Sequence, residues 1–323
     1  MDLLPTSEQD EIVSSISAVI AGNHTLGEPL SDDLWQAAVA QGWFALGLDE
    51  ELGGVGYSLA EEVLLFRELG RACVPGPFLA SVLGARVAAI AGDAELAARI
   101  VGGEARVGFA QRYDDTRHSV LDGDSAELAL VVDGERLSLI AMGDAADVEP
   151  LQGFDTLVPV VLARLDGATP LATAEPDTRV ALRGSLLVAA MLAGMAQATT
   201  EQSVSYGIDR EQFGQPVGGF QAVKHRCANM ATRAEVANCQ VLYAALALRD
   251  GRDDAAFHVH AARVVAARAA IDNAQVNVQN HGGIGFTWEH TAHRYVTRSR
   301  VLGQCLGTTT THLGDVLTAS APH

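Results

Sequence analysis

From residue 179 to residue 281 the sequence supports three consecutive helices of about thirty residues each, separated by short connections. "RVALRGSLLVAAMLAGMAQATTEQSVSYGIDR" (179–210) is long and apolar. "GFQAVKHRCANMATRAEVANCQVLYAALALRDG" (219–251) stops at Gly251, and "DDAAFHVHAARVVAARAAIDNAQVNVQNH" (253–281) stops at Gly282-Gly283. "EHTAHRYVTRSRVLGQCLG" and "THLGDVLTA" supply the last helix. Helices of this length cannot bury their apolar faces alone. With short connections each must turn back on the one before, which predicts an antiparallel four-helix bundle over residues 169–323.

The rest of the chain has two textures. Residues 1–102 read as helices: "SEQDEIVSSISAVIAG" with Ser7 as N-cap, "DDLWQAAVAQGWFALGL" broken by Gly42, "LAEEVLLFRELGRA" capped by Ser58, and "FLASVLGARVAAIAG" after Pro75 and Pro77. Residues 103–168 change to short apolar runs between Asp and Gly turns, and "VVDGERLSLI" is a hairpin signal with Asp133-Gly134 at its turn. The expected fold is therefore mainly α, with a small β middle domain between two helical ones. At ~100–200 residues per domain, 323 residues accommodate this.

Composition excludes several functions. A net charge of −18 opposes general nucleic-acid binding and docking on an anionic membrane, both of which rely on Lys and Arg. A small anionic ligand remains compatible where local arginines and backbone N–H groups receive it. Cys73, Cys227, Cys239 and Cys305 are scattered without CxxC spacing, so neither a disulfide framework nor a zinc site is expected. The acidic start "MDLLPTSEQDEIVSS" has no signal-peptide pattern, and no apolar run is clean enough to span a bilayer. A cytoplasmic protein is the expectation.

Three motifs carry a resemblance. "LWQAAVAQGWFALGLDEELGGVGYSLAEEVLLFRELGR" includes an EE-x-GG-x-G loop at Glu50 to Gly56. "DREQFGQPVGGFQAVKHRCANMA" (209–231) matches R-x-x-F-G-x-x-[IVL]-x-x-[FHY]-Q, and "QNHGGIGFTWEH" (279–290) matches Q-x-x-G-G-x-G. In this order and on this pattern of elements, the chain resembles the acyl-CoA dehydrogenases over almost its whole length. The resemblance implies a helical N-terminal domain, a middle β domain and a C-terminal four-helix bundle through which subunits pair. It also implies FAD as cofactor, with the pyrophosphate and adenine of one subunit's FAD reaching the neighbour's bundle. Carried onto this chain, the residues serving the neighbour's FAD are Arg210, Phe213, Gln221, Gln279, Gly282 and Gly283.

The chemistry suits that role. Arg210 offers a planar, permanently charged fork for phosphate oxygens, and Gly282-Gly283 let backbone N–H groups approach an anion. Gln279 can donate and accept through its amide. Each residue also has a plain structural reading. A Gly-Gly after a helix is a C-cap, an Arg before an aromatic is a surface residue, and Phe213 is expected in the core. His281, His290 and His293 lack an acid at ligand spacing and read as capping or solvated residues, so no metal is expected.

The sequence departs from the family where catalysis takes place. In these enzymes a glutamate removes the α-proton of the thioester while hydride leaves the β-carbon for flavin. Most members place that glutamate directly before a Gly-Thr in the last helical region, where this chain has Leu306. A minority place it on the first bundle helix, twenty-six residues before the signature arginine, where this chain has Gly184 followed by Ser185. Arg183 stays protonated and cannot be a base, and Glu201 lies more than four turns along the same helix. Asp155 is a further acid to weigh. The family's T-E-P-x-x-G-S-D-like loop is also missing between 103 and 170; the nearest stretch is "AQRYDDTRHS".

These departures resemble the shortened, base-lacking subunit of actinobacterial heterotetrameric (α2β2) acyl-CoA dehydrogenases acting on steroid side-chain CoA thioesters. The resemblance implies a full-length partner subunit that carries the catalytic glutamate, and an acyl-CoA substrate. Two alternatives stay open: a self-sufficient homo-oligomeric dehydrogenase with a relocated base, and a binding protein on the same fold without a redox role.

Overall fold

The computed structural model describes residues 5–50 and 53–322; Glu51 and Leu52 of the Glu50–Gly56 loop lie outside the described residues. The order of elements is helices, strands, then helices, as the sequence implies. The chain forms two compact units, Ala18–Glu62 with Pro75–Ser185, and Met1–Ser17 with Val63–Val74 and Leu186–His323.

Five helices come first: α1 (Ser7–Asn23), α2 (Asp32–Ala40), α3 (Leu59–Arg71), α4 (Phe78–Ile90) and α5 (Ala94–Val101). The cap of α1 is Thr6 rather than Ser7. Thr6 Oγ1 accepts from the Gln9 N–H at 3.2 Å, and Gln9 Oε1 accepts from the Thr6 N–H at 3.0 Å, which is a capping box. At α3 the expected Ser58 caps Ala60 N–H at 3.1 Å, and Glu61 returns the contact by accepting from Ser58 N–H at 2.9 Å. Gly42 takes φ +69° after α2, so the helix stops where only glycine stops cheaply.

Seven strands follow: β1 (Val107–Arg112), β2 (His118–Leu121), β3 (Leu128–Asp133), β4 (Arg136–Ala141), β5 (Ala146–Leu151), β6 (Val160–Arg164) and β7 (Ala172–Ala174). They form one sheet in the order β5-β6-β2-β1-β3-β4-β7, in which only the β1–β3 pair is parallel. The β3–β4 hairpin closes with Asp133 opposite Arg136, so the two loop residues are Gly134 and Glu135, one step later than the turn read from sequence. Side chains alternate faces. Val107, Phe109, Leu128, Leu130 and Leu139 are buried on one face, where Gly84 lets α4 lie within contact of Val107 and Leu139. Ala110, Val120, Ala129, Ile140, Val161 and Ala163 are buried together on the other. A sheet covered on both faces explains why these strands read as apolar runs rather than clean alternations.

The second unit is dominated by α6 (Val180–Asp209), which begins in the first unit, α7 (Gln221–Arg249), α8 (Ala255–His281), α9 (Ala292–Leu302) and α10 (Thr309–Thr318). Among the described residues α6 is the one helix long and apolar enough to cross a membrane by composition, contrary to the sequence reading, yet 83% of its most apolar window is buried. Two glycines set the approach of α3 and α6. A Cβ on Gly70 would strike the carbonyl of Met191, and one on Gly194 would strike that of Arg67. Asn273 on α8 ties three helices together. Its amide lies 3.0 Å from Ala196 O, 2.9 Å from Met230 O and 3.1 Å from Thr200 Oγ1, while its oxygen accepts from Arg233 Nε at 2.8 Å.

Candidate functional site at one end of the bundle

The loop between α6 and α7 folds into a two-stranded ribbon, β8 (Glu211–Gln212) with β9 (Gln215–Pro216). Its turn residues are Phe213 at φ +54° and Gly214 at φ +79°. Positive φ at both positions matches the twist of a tight hairpin, but a bulky aromatic is an unusual occupant of the first. Phe213 is 92% exposed, so its expected place in the core is corrected: the turn holds the ring outward, with Phe220 edge-on at 6.1 Å. The loop is anchored by its backbone. Arg210 N–H donates to Tyr206 O at 2.9 Å, and Val217 N–H donates to Arg210 O at 2.7 Å. Arg210 itself is exposed and forms no ion pair among the described residues. Gln221 opens α7 as an exposed residue.

At the end of α8, Gln279 is exposed on the last turn. Gly282 caps the helix at φ 65°, ψ −140°, a conformation open essentially to glycine alone, and its N–H returns to Gln279 O. Open space surrounds the positions where Gly282 and Gly283 would carry side chains. The backbone here is therefore accessible, as an anion-facing surface requires.

Tyr206 brings the two segments to the same end of the bundle. It sits on the last turn of α6, four residues before Arg210, and its hydroxyl donates to the carbonyl of His281 at 3.3 Å while its ring lies 4.3 Å from the imidazole. His281 is not solvated: it is buried, Nδ1 lies 2.8 Å from Asn277 O, and burial holds its pKa below the ordinary 6.5. His290 fits its capping reading, accepting from Ala292 N–H at 3.1 Å. Burial, then the neighbouring imidazoles of His281 and His293, lower its pKa as well. Next to the ribbon is an apolar cavity of about 360 Å³, lined by Val204, Gly207, Ile208, Pro216, Gly218, Val223 and Lys224 among others. Gly207 and Gly218 make the approach of the loop to α6 possible, because a Cβ on Gly218 would lie 2.7 Å from Gly207 O.

The two positions onto which the resemblance carries the family's base are Leu306 and Gly184. Leu306 has φ +58° in the turn between α9 and α10, and Arg263 pins that turn by donating from Nη2 to Cys305 O at 2.9 Å and Gly307 O at 3.1 Å. Arg263 is 1% exposed, and burial lowers its pKa to about 10. Gly184 is buried on α6 beside Arg183, whose Nε donates to Glu62 at 2.5 Å. Arg86 lies in the same cluster and donates to the Gly47 carbonyl. Burial first, then the Arg183 charge, lowers its pKa to about 10. The two acids weighed as relocated bases are engaged elsewhere. Asp155 accepts from Leu157 N–H at 3.0 Å within its own turn, and Glu201 pairs with Arg71 at 2.9 Å.

Sequence reasoning missed two constellations. Glu62 and Arg183 stand 121 residues apart, and only the fold pairs them. His260, His312 and Asp315 converge between α8 and α10, with ligand atoms within 4.8 Å of one another. His312 is 2% exposed, and burial, the Arg263 charge and His260 depress its pKa to about 3.

Comparison with known proteins agrees with the fold and the signatures. The acyl-CoA dehydrogenase N-terminal domain model matches residues 12–106, and the C-terminal domain model matches residues 181–320. Acyl-CoA dehydrogenase FadE34 of Mycobacterium tuberculosis is 34% identical over 85% of this chain, which spans only 41% of that protein's length. Acyl-CoA dehydrogenase IpdE2 of the same organism is 32% identical over 92% of this chain and 91% of its own. Among solved structures, the ChsE4-ChsE5 complex from Mycobacterium tuberculosis superposes with a TM-score of 0.82 at 23% identity, covering 100% of both chains. The Tcur3481-Tcur3483 steroid ACAD G363A variant gives 0.83 at 22%, covering 96% of this chain and 97% of that one. By both matched domains and by fold, the chain belongs to the acyl-CoA dehydrogenase family of FAD-dependent oxidoreductases.

Proposed function

We propose that this chain is the base-lacking subunit of a heteromeric acyl-CoA dehydrogenase and contributes its bundle end to the FAD of a partner subunit. The observation that carries the reading is a contrast. The phosphate-facing features are intact, with Arg210 exposed and without an ion pair and Gly282 in a glycine-only conformation, whereas Leu306 and Gly184 occupy the two base positions. The residues present fit a flavin pyrophosphate: one permanent cation, an exposed amide at Gln279, and a turn of backbone without Cβ atoms at Gly282 and Gly283.

In this reading Arg210 and the Gly282-Gly283 backbone bind the pyrophosphate. Gln279 orients it, and Gln221 and Phe213 cover the adenosine side, where an exposed aromatic held in a strained turn gains a partner. FAD supplies the hydride acceptor for α,β-dehydrogenation of a CoA thioester, and the partner's glutamate takes the α-proton. Residues 1–102, 103–168 and 169–323 serve as helical, reduced β and bundle segments of that subunit, which works in the cytoplasm. ChsE4-ChsE5 is described as a complex and Tcur3481-Tcur3483 as a steroid ACAD, which favours a heteromeric assembly and a steroid side-chain acyl-CoA as substrate. The engagement of Asp155 and Glu201 disfavours a self-sufficient enzyme.

The test is Arg210→Ala in the co-produced complex. Loss of a charge-assisted phosphate contact is expected to weaken FAD binding roughly 10- to 100-fold. Unchanged FAD retention in an intact complex would contradict the assignment.

A further inference from the structure

We propose that His260, His312 and Asp315 form a divalent transition-metal site with zinc as its occupant, joining α10 to α8 beside the Leu306–Gly307 turn. The geometry is that of ligands converging on one point. His260 Nδ1 and His312 Nδ1 are 2.9 Å apart, and Asp315 Oδ2 is 3.6 Å from the first and 3.9 Å from the second. Both carboxylate distances are too long for hydrogen bonds. They are, however, close to the spacing of co-ligands: donors around a tetrahedral zinc with bonds of about 2.0 Å stand about 3.3 Å apart, so each pair here needs to adjust by only about half an ångström.

The donor set narrows the metal. Two imidazoles and one carboxylate suit zinc and its neighbours, whereas calcium and magnesium require oxygen shells. Three protein ligands leave one tetrahedral position for water. His312 turns its Nδ1 toward His260, while its Nε2 faces Gly307, 3.2 Å from where a Cβ there would stand. Asp315 is half-exposed, which gives an ion a path in from solvent. The opposing effect is the buried Arg263 cation near His312. Its Nη2 faces the Cys305 and Gly307 carbonyls, and the Asp315 carboxylate brings the compensating negative charge. Two neutral imidazoles sharing one hydrogen bond account for the 2.9 Å contact alone, but not for a carboxylate placed to complete the triangle.

The experiment uses the tag-free full chain, treated with chelator and titrated with zinc chloride by calorimetry. Cobalt(II) is added to a second sample as a spectroscopic probe. The expected result is one zinc per chain, visible cobalt bands of tetrahedral intensity, and at least 10-fold weaker binding in each of His260→Gln and Asp315→Asn. Asp315 lies near the surface, so its variant keeps the fold if His260→Gln does not. Cys239→Ser, at an exposed cysteine elsewhere, is expected to bind zinc as the unaltered chain does. Absence of stoichiometric zinc, or titrations unchanged in Asp315→Asn, would overturn the site and leave a simple histidine pair.

Discussion

The Tyr206 hydroxyl donates to the His281 carbonyl at 3.3 Å, joining the last turn of α6 to the last residue of α8. The arginine signature starts four residues after the first partner, and the glycine pair starts one residue after the second. This contact therefore sets the relative position of the two segments assigned to one pyrophosphate. Tyr206→Phe keeps the ring against His281 and removes only the hydrogen bond. It should cost about 1 kcal/mol of stability. In the complex it should weaken FAD binding by less than Arg210→Ala does. Thermal unfolding and flavin titration measure the two effects separately.

The crossing of α3 and α6 is a second place where one atom matters. Gly194→Ala puts a methyl group against the Arg67 carbonyl, and Gly70→Ala puts one against Met191. Backbone cannot retreat as a flexible side chain can, so each change should destabilise by roughly 1–3 kcal/mol. The two sites share one contact, and the double variant should depart from additivity. Denaturant midpoints check both statements.

Asn273 is a buried polar hub whose partners come from α6 and α7. Asn273→Ala strands the Arg233 guanidinium contact and the carbonyls it served, and leaves a small cavity. A loss of about 2–4 kcal/mol is expected. The change should lower the unfolding temperature without altering the residues at the bundle end, so FAD affinity of the folded complex should stay the same.

How far the sequence could be read is visible in these same residues. The ends of α6, α7 and α8 fall within two residues of the helices read from periodicity and glycine stops, and Gly282 caps α8 as expected. Local chemistry was enough there, because a helix end is decided by a few consecutive residues. Phe213 was misplaced because its exposure depends on a hairpin turn that forces positive φ, which an aromatic residue does not advertise. Glu62–Arg183 and His260–His312 were invisible because they join residues 121 and 52 positions apart, and such pairings exist only after packing. His260 and His312 were also hidden among ten histidines with no shared motif.

Acid should destabilise the fold through its buried histidines. His281, His290 and His312 all have folded pKa values below 6.5, and that of His312 is about 3. The unfolded chain then binds more protons than the folded one below pH 6.5, so stability is fully present above that pH and declines as the pH falls toward the folded values. The unfolding temperature should be level from pH 8 to 7 and fall between pH 6.5 and 5. His281→Gln should make that fall shallower. A level profile down to pH 5 would contradict neutral burial.

The most direct test of the central claim is the visible absorbance spectrum of the purified chain, recorded alone and after co-production with a full-length acyl-CoA dehydrogenase partner. A division of labour predicts a colourless chain on its own, and a yellow complex whose flavin bleaches on adding an acyl-CoA. A lone chain that carries stoichiometric FAD and bleaches by itself would contradict it.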